Sequence, residues 1–253
     1  MLVKQKIKYI QTLGQKKFRQ QEGLFIAEGP KLVKELLEAD ASMVNEVFAL
    51  KEWIIENEKI LVKNAVTEIS EMELERISQL TTPHKVLAIV RQFDEDNEII
   101  TKGKITLALD GIQDPGNLGT IIRTADWFGI GQVVCSPDSA DVYNPKTVQA
   151  TMGSIARVKV IYRDLQQWLG EQKDVPIYAT TLDGQDVSAV KKIKEGIIIF
   201  GNESKGISPE TLQLANVRLS IPKKAHQTDS VGQGKAESLN AAVAAGIILS
   251  NVI

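Results

Sequence analysis

Four apolar residues in a row, Ile197-Ile198-Ile199-Phe200, run straight into a polar turn bracketed by glycines, Gly201-Asn202-Glu203-Ser204-Lys205-Gly206. An unbroken apolar run of this kind suits a central parallel strand covered on both faces, because a strand with one wet face alternates. The turn then falls at the carboxyl end of that strand, where open α/β sheets place their ligands. Gly201 and Gly206 lack the Cβ that otherwise keeps backbone amides away from a ligand. The chain therefore reads as α/β, with a loop-built site at the end of its central strand.

With 253 residues the chain has room for one large domain or two smaller ones. Its 43% hydrophobic and 25% charged composition is ordinary for a soluble protein with a real core. The formal net charge of −2 does not announce a polyanion partner, but its distribution is uneven. Residues 1–21 carry Lys4, Lys6, Lys8, Lys16, Lys17 and Arg19 and no acid. Two readings stand there, a solvated helix face and a contact with phosphate. Cys135 is the one cysteine, which excludes a disulfide framework or a cysteine metal site within one chain. His84 and His226 lie far apart, so no metal is expected. Residues 1–21 alternate charged and apolar side chains and resemble neither a signal peptide nor a spanning helix. A reducing, cytoplasmic compartment is the expectation, with no membrane partner.

An acidic-then-basic break at 94–104 separates two patterned regions and reads as a linker. Before it, residues 1–93 alternate short elements. Helices are expected at 4–12, 31–39, 52–57 and 68–78, and strands at 24–29, 44–50, 60–62 and 86–90. Pro30 opens the second helix, whose Leu32, Val33, Leu36 and Leu37 share one face. After the break, residues 105–253 predict strands at 105–109, 131–135, 158–162, 176–180, 196–200 and 217–221. Helices are expected at 117–128, 145–155, 164–171, 208–215 and 237–252. The pattern is that of a mostly parallel sheet with right-handed crossovers.

Two more segments carry chemistry. Strand 106–110 leads into Gly111-Ile112-Gln113-Asp114-Pro115-Gly116-Asn117-Leu118-Gly119 and a helix holding Arg123. The glycine spacing fits neither the dinucleotide fingerprint nor the phosphate loop, which disfavours a dehydrogenase or a nucleotide triphosphatase. Asn117 reads structurally as a helix cap. Arg123 has apolar neighbours in Ile121, Ile122 and Ala125, a setting that suggests an interface or a site. Farther on, Ile221-Pro222 and a polar loop precede Gly234-Lys235-Ala236-Glu237-Ser238-Leu239-Asn240 and an alanine-rich helix. Capping accounts for one of Ser238 and Asn240, not both.

Taken in order, Asn117-x-Gly-x-x-x-Arg123, Phe200-Gly201-Asn202-Glu203-x-x-Gly206-Ile207-Ser208, and Ile221-Pro222 with Gly234-x-x-Glu237-Ser238-Leu239-Asn240 resemble the three motifs of the SpoU/TrmH ribose methyltransferases of the SPOUT superfamily. The resemblance spans 105–253. Strings at 25–29 and 82–88 are similar to those of the family's small substrate-binding domain. It implies an α/β fold: a C-terminal trefoil-knot (SPOUT) domain at 105–253 and an N-terminal α/β domain at 1–93 that binds RNA substrate. It further implies S-adenosylmethionine held by Gly201, Ile221 and Leu239, and a homodimer in which Arg123 serves a site completed by both chains. The implied reaction is methylation of a ribose 2′-hydroxyl in RNA, ribosomal rather than transfer RNA by analogy with two-domain members.

In similar enzymes the arginine at the position of Arg123 is the proposed base. A guanidinium keeps its proton below a pH of about 12, so stabilising the alkoxide and holding the neighbouring phosphate are the easier roles. By the same resemblance Asn117 orients the ribose, Glu203 fixes the second-motif loop, Ser238 bonds Arg123 and Asn240 ties motifs together. One departure is residues 223–233, polar and partly basic, between Ile-Pro and the last motif. They read as an RNA-contacting flap or as a surface insertion. Rival readings are a non-enzymatic RNA-binding protein, a base methyltransferase of the same superfamily and an unrelated nucleotide-dependent enzyme. Retention of Arg123, Glu203, Ser238 and Asn240 together argues against the first.

Overall fold

The computed structural model describes residues 2–61, 64–93, 98–223 and 237–253. The first elements are α1 (Lys4–Thr12), α2 (Lys16–Glu22), β1 (Leu24–Glu28), α3 (Pro30–Asp40), β2 (Val44–Ala49), α4 (Lys51–Glu56), β3 (Ala65–Glu68), α5 (Glu71–Ile77) and β4 (Val86–Arg91). Next come β5 (Ile105–Asp110), α6 (Pro115–Trp127), β6 (Gln132–Cys135), α7 (Pro145–Thr151), β7 (Lys159–Tyr162) and α8 (Leu165–Gly170). The chain finishes with β8 (Ile177–Asp186), β9 (Gly196–Gly201), α9 (Pro209–Leu212), β10 (Val217–Ser220) and α10 (Ala241–Val252). Contacts divide it into two compact units: Met1–Asp96 with Asp141–Arg157, and Asn97–Ala140 with Val158–Ile253.

The first unit is built on a mixed sheet of order β1-β4-β2-β3, in which β4 runs against the other three and only the β2–β3 pairing is parallel. Helix α3 starts at Pro30 and buries Leu32, Val33, Leu36 and Leu37, as their spacing requires. Helix α5 has a capping box between Ser70 and Glu73. The strand expected at 60–62 does not form at Ile60 and Leu61, and Val62 lies outside the described residues. The amides of Ile60 and Leu61 donate back to Asn57 and Glu58 in a turn, and the strand beside β2 is Ala65–Glu68 instead. Leu61 still buries its side chain, so the apolar triplet was a core signal without being a strand. Helix α2 was not anticipated, because Phe18 is its one hydrophobic residue and gives no stripe.

Residues 141–157 cluster with this first unit, although the sequence grouped them with 105–253. The Tyr143 ring lies 5.0 Å from that of Phe25. Asp141 pairs with Arg19 at 2.6 Å and Arg157 with Glu35 at 3.0 Å.

The second unit is a six-stranded sheet of order β10-β8-β9-β5-β6-β7, parallel throughout. The apolar run beginning at Ile197 lies at its centre, paired on one side with β5 and on the other with β8. Strand β8 is longer than expected, and it meets β10 in two patches. Tyr178 and Ala179 face Val217 and Arg218, whereas Gln185 and Asp186 face Leu219 and Ser220. Residues 180–184 bulge out between those patches. Among the described residues, no helix is long and apolar enough to cross a membrane, and no cluster of His, Cys, Asp and Glu could hold a metal.

Candidate active site

The turn after β5 sets the first wall. Asp114, not Asn117, caps α6: its carboxylate accepts from the Asn117 amide at 2.8 Å, and Pro115 follows at the first helical position. This frees the Asn117 side chain. Its Nδ2 donates to Glu203 Oε1 at 2.5 Å, and its Oδ1 accepts from Asn240 Nδ2 at 2.8 Å. Asn240 also caps α10, its Oδ1 accepting from the amides of Ala242 and Val243 at 3.0 and 3.2 Å. Ser238 Oγ lies 3.5 Å from the Glu203 carbonyl. Residues from three distant segments therefore meet through side chains.

The loop after β9 is tied on both flanks. Asn202 Nδ2 donates to the Gly111 carbonyl at 2.8 Å, while its Oδ1 accepts from the amides of Ser204 and Lys205. On the other flank, Asp110 Oδ2 accepts from the Ser208 amide at 2.8 Å, with Ser208 Oγ at the same distance. A Cβ on Gly201 would stand 2.3 Å from Gly206 C and Ile207 N. The space left at Gly201 is thus taken by the loop's own return, where the sequence suggested a ligand. Gly206 adopts φ +71°, which favours glycine.

These loops border a cleft of about 920 Å³. Gly201, Ile221 and Leu239 all line it, together with Glu203 and Ser238. So do Thr180 and Thr181 from the β8 bulge, which the sequence reading missed. The available signal was Gly184 inside a strand pattern: a Cβ there would lie 2.6 Å from the backbone of Arg218 and Leu219. Thr181 Oγ1 is buried without a hydrogen-bond partner among the described residues, an orphan hydroxyl in the cleft wall. Apolar walls, loop backbone and an unsatisfied hydroxyl fit an amphipathic cofactor such as S-adenosylmethionine. At the rim Arg218 pairs with Asp183 at 3.4 Å.

Arg123 stands apart from this group. It is exposed on α6, does not line the cleft, and has no polar partner among the described residues. The polar loop at 223–233, read as an RNA-contacting flap or as a surface insertion, falls, apart from Lys223, outside the described residues.

Residues 104–250 match the model of the SpoU rRNA methylase family, and residues 4–88 match that of the MRM3-like substrate binding domain. The chain is 32% identical to the 23S rRNA (guanosine(2553)-2′-O)-methyltransferase RlmP of Bacillus subtilis, over 97% of this chain and 94% of that one. It is 25% identical to a 23S rRNA (uridine(2479)-2′-O)-methyltransferase of Streptomyces viridochromogenes, over 95% and 86%. Among solved structures, the AdoMet-bound rRNA methyltransferase of Sinorhizobium meliloti superposes with a TM-score of 0.85 at 30% identity, covering 100% of this chain and 95% of the other. The joined motifs, the cleft they border and these relatives agree: the chain belongs to the SpoU rRNA methylase family, enzymes that methylate RNA ribose 2′-hydroxyls from S-adenosylmethionine.

Proposed function

We propose that the protein methylates a ribose 2′-hydroxyl of large-subunit ribosomal RNA at the mouth of the cleft, working as a homodimer in the cytoplasm. The observation that carries this is the side-chain chain Asn240–Asn117–Glu203, which joins all three motif segments beside a cleft lined by Gly201, Ile221 and Leu239. The cofactor supplies an electrophilic methyl group on a sulfonium. Attack by the 2′-oxygen forms the O–CH₃ bond and breaks the S–CH₃ bond, whose electron pair stays on sulfur as a neutral thioether, while the hydroxyl proton passes to solvent. The site has to align those atoms and lower the cost of the developing alkoxide. Gly201, Ile221 and Leu239 hold the cofactor, Asn117 orients the ribose, and Glu203 and Asn240 fix Asn117.

Arg123 is assigned to the alkoxide and its neighbouring phosphate, reached across a dimer interface. Helices α6 and α10 pack side by side and each exposes an apolar residue, Trp127 at 85% and Val243 at 51%. Arg123 lies one turn before Trp127 on α6, so a second copy that covers Trp127 meets the same side of the helix as Arg123. The division of labour follows the expected domains: 1–93 binds RNA, 94–104 links, and 105–253 carries the family's knotted transferase. Both named 23S enzymes act on different nucleotides, so the target nucleotide is set by the chain's own RNA-binding surfaces. Mapping 2′-O-methyl groups in total RNA with and without the gene tests the function. A missing methyl in 23S rRNA is expected, and an unchanged map in all rRNA overturns it. Calorimetry with S-adenosylmethionine separates the enzyme from a non-enzymatic RNA binder, for which no binding is expected.

A further inference from the structure

The six cations near the amino terminus fall into two classes. Arg19 is 1% exposed, donates to the carbonyls of Leu13 and Gly14, and pairs with Asp141. Lys6 pairs with Glu46 at 2.6 Å. Both serve the fold. Lys4, Lys8, Lys16 and Lys17 are exposed and have no polar partner among the described residues. Elsewhere in the same unit Lys31, Lys34 and Lys85 each stand within 4 Å of a carboxylate, at 3.9, 3.7 and 2.9 Å, whereas Lys51 and Lys59 are exposed and, like those four, have no polar partner among the described residues.

Their positions also oppose local helix electrostatics. Lys4 opens α1, and Lys16 and Lys17 open α2. Neither helix has an acid in its first turn or a side-chain cap. A helix start carries partial positive charge, so cations there destabilise it and acids stabilise it. Helix α5 of the same unit obeys that rule, with Ser70 as its cap and Glu71 and Glu73 in its first turn. Helix α3, with Lys31 in its first turn and neither an acid nor a side-chain cap there, shares the exception, but with one lysine against Lys4, Lys16 and Lys17 for α1 and α2 together. Breaking a local rule without compensation inside the fold marks a surface kept for something outside it.

We propose that α1 and α2 form a phosphate-binding face for the RNA substrate, with Lys4, Lys8, Lys16 and Lys17 contacting the RNA backbone. Lys4 and Lys8 lie one turn apart on one side of α1, about 6 Å along its axis, and Lys16 and Lys17 extend the same unpaired charge onto α2. Contacts of this kind position an RNA without reading its sequence and supply the salt-dependent part of affinity. The proposal rests on the RNA-methylating reading above and assigns it a docking surface.

The test compares wild type with the quadruple variant Lys4→Gln/Lys8→Gln/Lys16→Gln/Lys17→Gln. A control, Lys31→Gln/Lys34→Gln/Lys51→Gln/Lys59→Gln, removes equal charge from the rest of the unit, outside the 25–29 and 82–88 strings. Glutamine matches lysine in helix propensity, so the comparison isolates charge. The probe is total rRNA from cells lacking the gene, titrated from about 50 to about 300 mM KCl, with Tm and S-adenosylmethionine affinity measured alongside. The quadruple variant should bind rRNA about tenfold or more weakly, with a log–log salt slope shallower by about 3. Its Tm should rise by about 2 °C, because three cations leave helix starts, and its cofactor affinity should stay unchanged. Loss of affinity with gain of stability is a pair of signs that a merely structural role does not give. Equal weakening in the control, or unchanged binding in the quadruple variant, overturns the proposal. Failure of the catalytic reading looks different: wild type then binds rRNA but transfers no methyl group to it.

Discussion

Single residues in this protein are assigned by their partners more than by their type. Asn117 has the identity of a helix cap, and sequence alone reads it as one; Asp114, three residues earlier, takes that role, and Asn117 bonds Glu203 and Asn240 instead. Which of two neighbouring capping residues caps depends on backbone geometry that the sequence does not display. Because Asn117 and Glu203 act as a unit, their losses should not add. Asn117→Ala and Glu203→Ala are each expected to lower kcat by about a hundredfold, and the double variant by little more than either. Arg123→Ala should abolish transfer while calorimetry finds cofactor affinity largely intact; lost cofactor affinity reassigns the residue. Glu28 offers a pH test. It is buried at the end of β1, and burial raises its pKa above the ordinary 4.5, although hydrogen bonds from Ser78 Oγ and the Gln79 amide pull the other way. A carboxyl with a raised native pKa contributes stability that is fully present below its unfolded value and lost as pH rises through the native one. Urea midpoints should therefore fall over that window in wild type and fall less in Glu28→Gln.

At the scale of elements, periodicity located most helices and strands, because α3, β5 and β9 carry runs whose spacing matches their burial. It failed where tertiary partners decide. Helix α2 is anchored by Arg19, whose carboxylate partner is far away in sequence at Asp141. The bulge in β8 exists because Gly184 lets β10 approach its backbone, and this contact hands Thr180 and Thr181 to the cleft. Helices α6 and α10 show the same dependence on context. Their buried sides hold Ile121, Ile122, Ala245 and Leu249, which patterning explains, while Trp127 and Val243 are exposed, with nothing among the described residues to cover them. Trp127→Glu should put a charge into the proposed dimer face. Sedimentation should then find monomer where wild type is dimer, and methyl transfer should drop with dimer content while the thermal midpoint changes little. A monomeric variant with full activity would remove the partner chain from the mechanism.

For the molecule as a whole, the boundary between the two units is the feature least legible in the sequence. The acidic break at 94–104 marks one crossing of the chain, but contacts place two more around residues 141–157. That segment links β6 to β7, parallel neighbours that need a crossover of a dozen or more residues. Such a crossover ordinarily packs on its own sheet. Here it clusters with the first unit, with Asp141 on the buried Arg19, Tyr143 on Phe25 and Arg157 on Glu35. No composition shift flags these contacts, since each partner lies a hundred residues or more away. Asp141→Ala leaves the Arg19 guanidinium buried without its carboxylate, and denaturant titration should find a loss of about 3 kcal/mol. A fragment starting at residue 98 strips residues 141–157 of every one of those partners. It should unfold without a cooperative transition, whereas the same fragment with 141–157 replaced by about a dozen Gly and Ser residues should regain one. Cooperative melting of the unmodified fragment would mean that the crossover folds with the six-stranded sheet alone, and that the first unit merely borrows it.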